Sequence, residues 1–156
     1  MNDPIAKAPP QYLKAIGEIS VNLAFAELSI VHCISILIAH DMKHRDMRQT
    51  LCLVGGESFS VLLSKLKKVF RHRVTDAKLL REFDKLYRQL GELNKKRDKY
   101  LHSVLWAEAG QVFRAKFKKQ MTADGSLGEY EPVSLVSLKS LAKEIRDAGS
   151  DVYAFV

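Results

Sequence analysis

Arg97, Asp98 and His102 stand together in Lys95-Lys96-Arg97-Asp98-Lys99-Tyr100-Leu101-His102. An imidazole ordinarily titrates near pH ~6.5, so a histidine can take or supply a proton at neutral pH. A guanidinium presents a fixed fork of donors that suits a phosphate or a carboxylate. A carboxylate four residues before a histidine shares its helical face and can orient the imidazole or raise its pKa. The chemistry available to this trio is proton transfer beside a held anion.

These residues close a strongly patterned helix. Thr75 can cap its start through its hydroxyl, and Asp76 places negative charge at the positive end of the helix dipole. Leu79, Phe83, Leu86, Leu90 and Leu93 recur in steps of three and four and mark one apolar face. Arg97 continues that series, eighteen residues past Leu79, and at about 100° per residue eighteen steps return to the same angle. It therefore occupies a position where a core leucine is expected. A buried charge must find an anion or reach water. One solution is a core-edge arginine paired with a carboxylate, its stem running past the apolar rim. The other is an arginine held at a cleft or interface to grip a phosphate. Helix geometry alone favours the first. Histidine at a helix C-terminus is also compatible with the dipole without any chemistry. His102 is rotated about 140° from Arg97, so a regular helix does not aim both side chains at one spot; a widened last turn or a second copy of the helix would be needed.

The stretch R-D-K-Y-L-H resembles the signature of the HEPN superfamily, an arginine and a polar residue followed by a histidine after four to six intervening residues. Here Arg97, Asp98 and His102 match it, with four residues between arginine and histidine. The following S-V-L-W also looks like members in which the histidine closes a helix and a tryptophan comes soon after. Asp98 stands where asparagine is frequent, and Ser103 where glycine is. The resemblance implies a helical domain that dimerises with the motif helices facing each other. It also implies a metal-independent endoribonuclease, often of a toxin–antitoxin or phage-defence system, needing no cofactor. RNA and a partner protein such as an antitoxin are then the expected partners. Other members lack catalysis and bind ligands or proteins. In an active member His102 would move the proton, Arg97 would neutralise charge on the phosphorane, and Asp98 would orient either. Lys95, Lys96 and Lys99 would help bind RNA.

The chain has 156 residues, 47% of them hydrophobic and 28% charged, which suits one domain with a packed core. A net charge of +7 favours polyanions or simply solubility. Cys33 and Cys52 lie in apolar runs and are expected as buried free thiols, with no metal-type spacing. Residues 1–10 form an expected tail that lacks the apolar core of a signal peptide, and 11–156 the single domain. The apolar run from Val21 to Ile38 is interrupted by Asn22, Glu27 and His32, which argues for a buried helix in a cytoplasmic protein, outside any membrane.

In the first long helix, expected over Gln11 to His40, Ile16, Leu23, Ile30, Ile34 and Leu37 form the main stripe. Ala15, Asn22, Ala26 and Cys33 form a small-residue face that invites close approach of another helix. Glu27 falls near the apolar stripe; it is either solvated at the edge or paired inward, with Arg97 the natural cation. His40 and His44 share a metal-compatible spacing but lack a third ligand, so a surface turn explains them better. A short helix is expected over Arg45 to Leu53. Another, capped by Ser58, runs to Arg71, with Phe59, Leu62, Leu63, Leu66 and Phe70 inward. Its basic face of Lys65, Lys67, Lys68 and Arg71 is either a solvated surface or a track for phosphates.

After His102 the period changes to two. Val104–Glu108 and Gln111–Phe117 around Ala109-Gly110 predict a hairpin. Phe113, Ala115 and Phe117 are expected on the packed face, with Arg114, Lys116 and Lys118 in water. Asp124-Gly125 marks a turn, Tyr130 to Val136 a third strand, and Ser137 the cap of a last helix with Leu138, Leu141, Ala142 and Ile145 inward. The predicted fold is mainly α: a bundle of four to five helices, two of them long, with a small antiparallel sheet before the C-terminal helix.

Overall fold

The computed structural model describes residues 6–38, 44–117 and 128–155. It is mainly helical, as expected. The elements run β1 (Ala6–Lys7), α1 (Pro10–Ile38), α2 (His44–Val54), α3 (Phe59–Arg73), α4 (Ala77–Leu101), β2 (Val104–Glu108), β3 (Gln111–Phe117), β4 (Gly128–Pro132) and α5 (Leu135–Tyr153). The strands form one antiparallel sheet in the order β1-β2-β3-β4. His40 and the Asp124-Gly125 turn lie outside the described residues, as does the side chain of His44.

The largest helix–helix interface joins α1 and α5. Ala15, Ala26 and Cys33, on the small-residue face of α1, are fully buried. Gly149 of α5 lies against it so closely that a Cβ there would meet the Cβ of Ala26 at 3.0 Å. Glycine costs about 1 kcal/mol inside a helix relative to alanine; here it permits the close packing. Leu138, Leu141, Ala142 and Ile145 complete the face of α5 that packs inward. Asn22 donates to the Ala142 carbonyl at 2.8 Å and ties the two helices with a directional bond.

On the other side of α1, α3 buries Phe59, Leu62, Leu63, Leu66 and Phe70, all five as expected. Phe70 stacks on Phe83 of α4 at 4.1 Å between centroids, and Phe155, just past α5, packs edge-on to both at 5.7 and 5.9 Å. Such pairs add about 0.5–1.5 kcal/mol each beyond area burial and lock three helices at one corner.

Several local expectations are corrected. Asp76, not Thr75, is the N-cap of α4: its Oδ1 accepts from the N–H groups of Lys78 and Leu79 at 2.7 and 2.9 Å. One charged oxygen there satisfies two orphan donors and the dipole together. Ser58 occupies the N-cap position of α3, but its hydroxyl lies 3.2 Å from that of Ser60 and does not cap. Ser134 rather than Ser137 caps α5, so the strand predicted to reach Val136 stops at Pro132. Ala6 and Lys7, expected in a tail, pair with Ala107 and Trp106. Cys33 is buried and its thiol pushed up to about 12 by burial, whereas Cys52 is exposed on α2.

The hairpin forms over the residues expected, with positive φ at Ala109 (48°) and Gly110 (81°) supplying the tight turn. Ala115 is buried as expected, but it is Arg114 rather than Phe113 that faces the helical core. Leu105, Ala107, Val112 and Arg114 turn toward the helices, while Trp106 and Phe113 share the opposite face. By length and composition α1 could cross a membrane; in this fold it is the central helix of the bundle.

Candidate functional site

The motif sits at the C-terminal end of α4, where the helix hands over to β2. Phe83, Leu86, Leu90 and Leu93 anchor that helix in the core. Arg97 follows on the same stripe and is held near the surface, its side chain 14% exposed. Its Nη2 donates to Asn94 Oδ1 at 2.9 Å and its Nη1 lies 3.0 Å from Asp98 Oδ1. Its Nε is buried and has no hydrogen-bond partner. A buried unsatisfied donor is costly, so a movement of this side chain that brought the nitrogen to an acceptor would be favourable.

His102 is the C-cap of α4, with φ −103° and ψ 23°, and its side chain is 68% exposed. Its Nε2 lies 3.9 Å from the same Asp98 Oδ1 that Arg97 approaches. That is an electrostatic contact rather than a hydrogen bond. The last turn is not widened, since the His102 N–H still reaches the Asp98 carbonyl at 3.4 Å. The 140° between the two side chains is bridged instead by Asp98, which stands between them in angle. One carboxylate oxygen therefore gathers a guanidinium and an imidazole from a single helix.

Glu27 is half-buried on α1. Burial raises its pKa above the ordinary value, and the charge of Arg97 pulls it partly back. The ion pair Arg97 makes among the described residues is with Asp98, not with Glu27. Because the folded-state pKa of Glu27 is raised, folding binds a proton more tightly than the unfolded chain does, and stability falls as pH rises through that window. The penalty on the ionised folded state grows as pH rises. Glu27→Gln is therefore expected to raise the thermal midpoint slightly at pH 7, the gain shrinking as acid protonates the wild-type carboxyl. Thermal melts of both proteins across that range check this; a gain that grows on acidification would contradict it.

The lysines spread around the motif. Lys95 pairs with Glu92 at 2.8 Å on the outer side of α4. Lys96 reaches Glu144 of α5 at 3.4 Å. Lys96 and Lys99 line a polar cleft of about 370 Å³ between α4, β4 and α5, with Glu131, Ser137, Ser140 and Glu144. The basic face of α3 is largely committed elsewhere. Lys65 pairs with Glu57 at 2.7 Å, Arg71 with Asp84 at 2.8 Å, and Lys67 sits 4.2 Å above the Tyr87 ring. It offers phosphates less than its composition suggests. Among the described residues no three His, Cys, Asp or Glu side chains converge in a way that could hold a metal.

Arg114 was expected in water and is instead 2% exposed. Its Nη2 and Nε meet Glu131 Oε2 of β4 at 2.5 and 3.1 Å, and its Nη1 donates to the Lys99 carbonyl at 3.2 Å. That carbonyl is one of the last in α4, which have no helical partner of their own. Arg114 thus caps the motif helix from the sheet and fixes the segment carrying Asp98 and His102. The Arg114 guanidinium also holds the Glu131 carboxyl below the usual range, mainly through the hydrogen bond. The pairing of Arg114 opposite Glu131 in an antiparallel register is a usable signal, but it requires knowing how β3 and β4 align.

No family model, curated protein or solved structure matches the chain.

Proposed function

We propose that this chain is a metal-independent endoribonuclease that works as a homodimer in the cytoplasm, with Arg97, Asp98 and His102 in each copy. The convergence of Arg97 and His102 on Asp98 Oδ1, at the solvent-reachable end of α4, carries the reading. RNA brings its own nucleophile. The 2′-OH attacks the neighbouring phosphorus, the bond to the 5′-oxygen breaks, and the products end in a 2′,3′-cyclic phosphate and a 5′-OH. His102 takes the 2′-OH proton or delivers one to the departing 5′-oxygen. Arg97 turns its unsatisfied Nε–H toward the anionic phosphorane, where a fixed donor is worth most. Asp98 holds both in register. A second copy facing the first would supply the complementary proton-transfer group.

The resemblance of R-D-K-Y-L-H to the HEPN signature supports the same reading and suggests a toxin or defence protein with a partner antitoxin. The covered position of Arg97, bonded to Asn94 and Asp98, favours a second reading: a non-catalytic dimeric module that binds nucleotides or a partner protein. Incubation of a mixed RNA pool in excess EDTA separates them. Fragments with cyclic-phosphate ends are expected; intact RNA across several sequences would leave the binding module.

A further inference from the structure

We propose that the outer face of the sheet is a stacking platform for the bases of single-stranded RNA, an inference that rests on the nuclease reading and extends it to how substrate is held. Registers place Trp106 opposite Phe113, and Ala115 between Val104 and Tyr130, on the face turned away from the helices. Trp106 and Phe113 stack at 5.7 Å with 24° between their planes, and Tyr130 stands edge-on to Trp106 at 5.9 Å. The three rings pack on one another and not on the helical core. Tyr130 is 58% exposed and Val104 55%. An antiparallel sheet with one covered face ordinarily turns polar residues to water on the other. Here the outward face carries three rings, Tyr130 exposed and Trp106 and Phe113 half-buried, beside a buried Ala115.

Charge selects the occupant. On the β1 edge Lys7 is paired with Trp106 and exposed. On the β4 edge Glu131 lies opposite Arg114 on the helix side, so the cleft that Lys96 and Lys99 line opens on the other face of the sheet from Tyr130. The chain as a whole carries +7. Aromatic rings presented by a cationic protein are how sequence-tolerant single-strand binding is built. The platform also adjoins the motif: Trp106 follows His102 by four residues, so their Cα atoms are at most about 14 Å apart. A strand laid across the rings passes within reach of His102.

Trp106 is the chain's single tryptophan, which gives a direct readout. The probe is a 2′-O-methyl oligouridine, which lacks the nucleophile and reports binding without cleavage. It is expected to quench Trp106 fluorescence to saturation, with affinity falling as salt rises. Tyr130→Ala is expected to weaken binding about tenfold and Tyr130→Phe to leave it nearly unchanged. Binding seen by anisotropy of the labelled oligonucleotide, without Trp106 quenching or sensitivity to Tyr130→Ala, would place RNA elsewhere and overturn the platform while leaving the nuclease reading intact. A Tyr130→Ala variant that changes sedimentation but not RNA binding would assign the face to a second copy of the chain and overturn it equally. Failure of the wild type both to bind this probe and to cleave unmodified RNA would remove the nuclease reading and the platform together.

Discussion

His102→Ala is expected to lower the rate of RNA cleavage in excess EDTA by about 10²–10⁴-fold, the usual contribution of a positioned proton-transfer group. The side chain is largely in water, so the variant should fold with near wild-type stability. Loss of activity would then report chemistry rather than collapse. Circular dichroism at equal concentration supplies the control, and end-group analysis of the wild-type products supplies the mechanism. Equal cleavage by both proteins would show that His102 does not carry the proton.

Glu131→Ala is expected to destabilise the fold by about 3 kcal/mol, far more than a half-exposed surface glutamate normally contributes. The reason lies with its partner. Arg114 has only 3% of its side chain exposed, and Glu131 is the carboxylate that compensates its charge. Among the described residues, removing that carboxylate leaves a buried cation held by the Lys99 carbonyl, the Ser103 hydroxyl and the Tyr100 ring. The value is set at the low end for a broken buried pair because Glu131 itself lies half in water. At about 2–4 °C per kcal/mol for a chain of this size, the thermal midpoint should drop by about 6–12 °C. A drop under a degree would show that water reaches Arg114. Because Arg114 also caps α4, the proposed cleavage activity should be lost before the variant unfolds. Acid acts on the same pair. The depressed pKa of Glu131 gives stability that is present above its unfolded value and is lost as pH falls through the folded one.

Periodicity made the helical part of this fold legible. Phe59, Leu62, Leu63, Leu66 and Phe70 in α3, and Leu138, Leu141, Ala142 and Ile145 in α5, are buried as their spacing requires. Ala109-Gly110 announced the hairpin through the positive φ that its turn demands. The hairpin's inner face was not legible, because β3 is amphipathic in both phases. Val112 and Arg114 alternate against Phe113 and Ala115, and counting apolar residues found the buried Ala115 but put Arg114 in water. Only the long-range partners of Arg114, Glu131 on β4 and the end of α4, make its burial tolerable. β1 was missed because two residues carry no period. In the candidate site, the side chains were nameable from residue type, and their meeting at Asp98 came from the short reach between adjacent turns. The angle between Arg97 and His102 alone concealed it, since helical geometry fixes where Cβ points and not where a long side chain ends.

The pairing of α1 with α5 has a consequence for how the chain is made. α1 is the first described helix and α5 the last, and Ala6 pairs with Ala107 across most of the intervening sequence. During synthesis the apolar face of α1 emerges long before the helix that will cover it. Contacts between such distant segments close late and slow the search for the native state. Until α5 leaves the ribosome, the nascent protein carries an uncovered, strongly apolar helix, the kind of surface that chaperones hold and that aggregates when they do not.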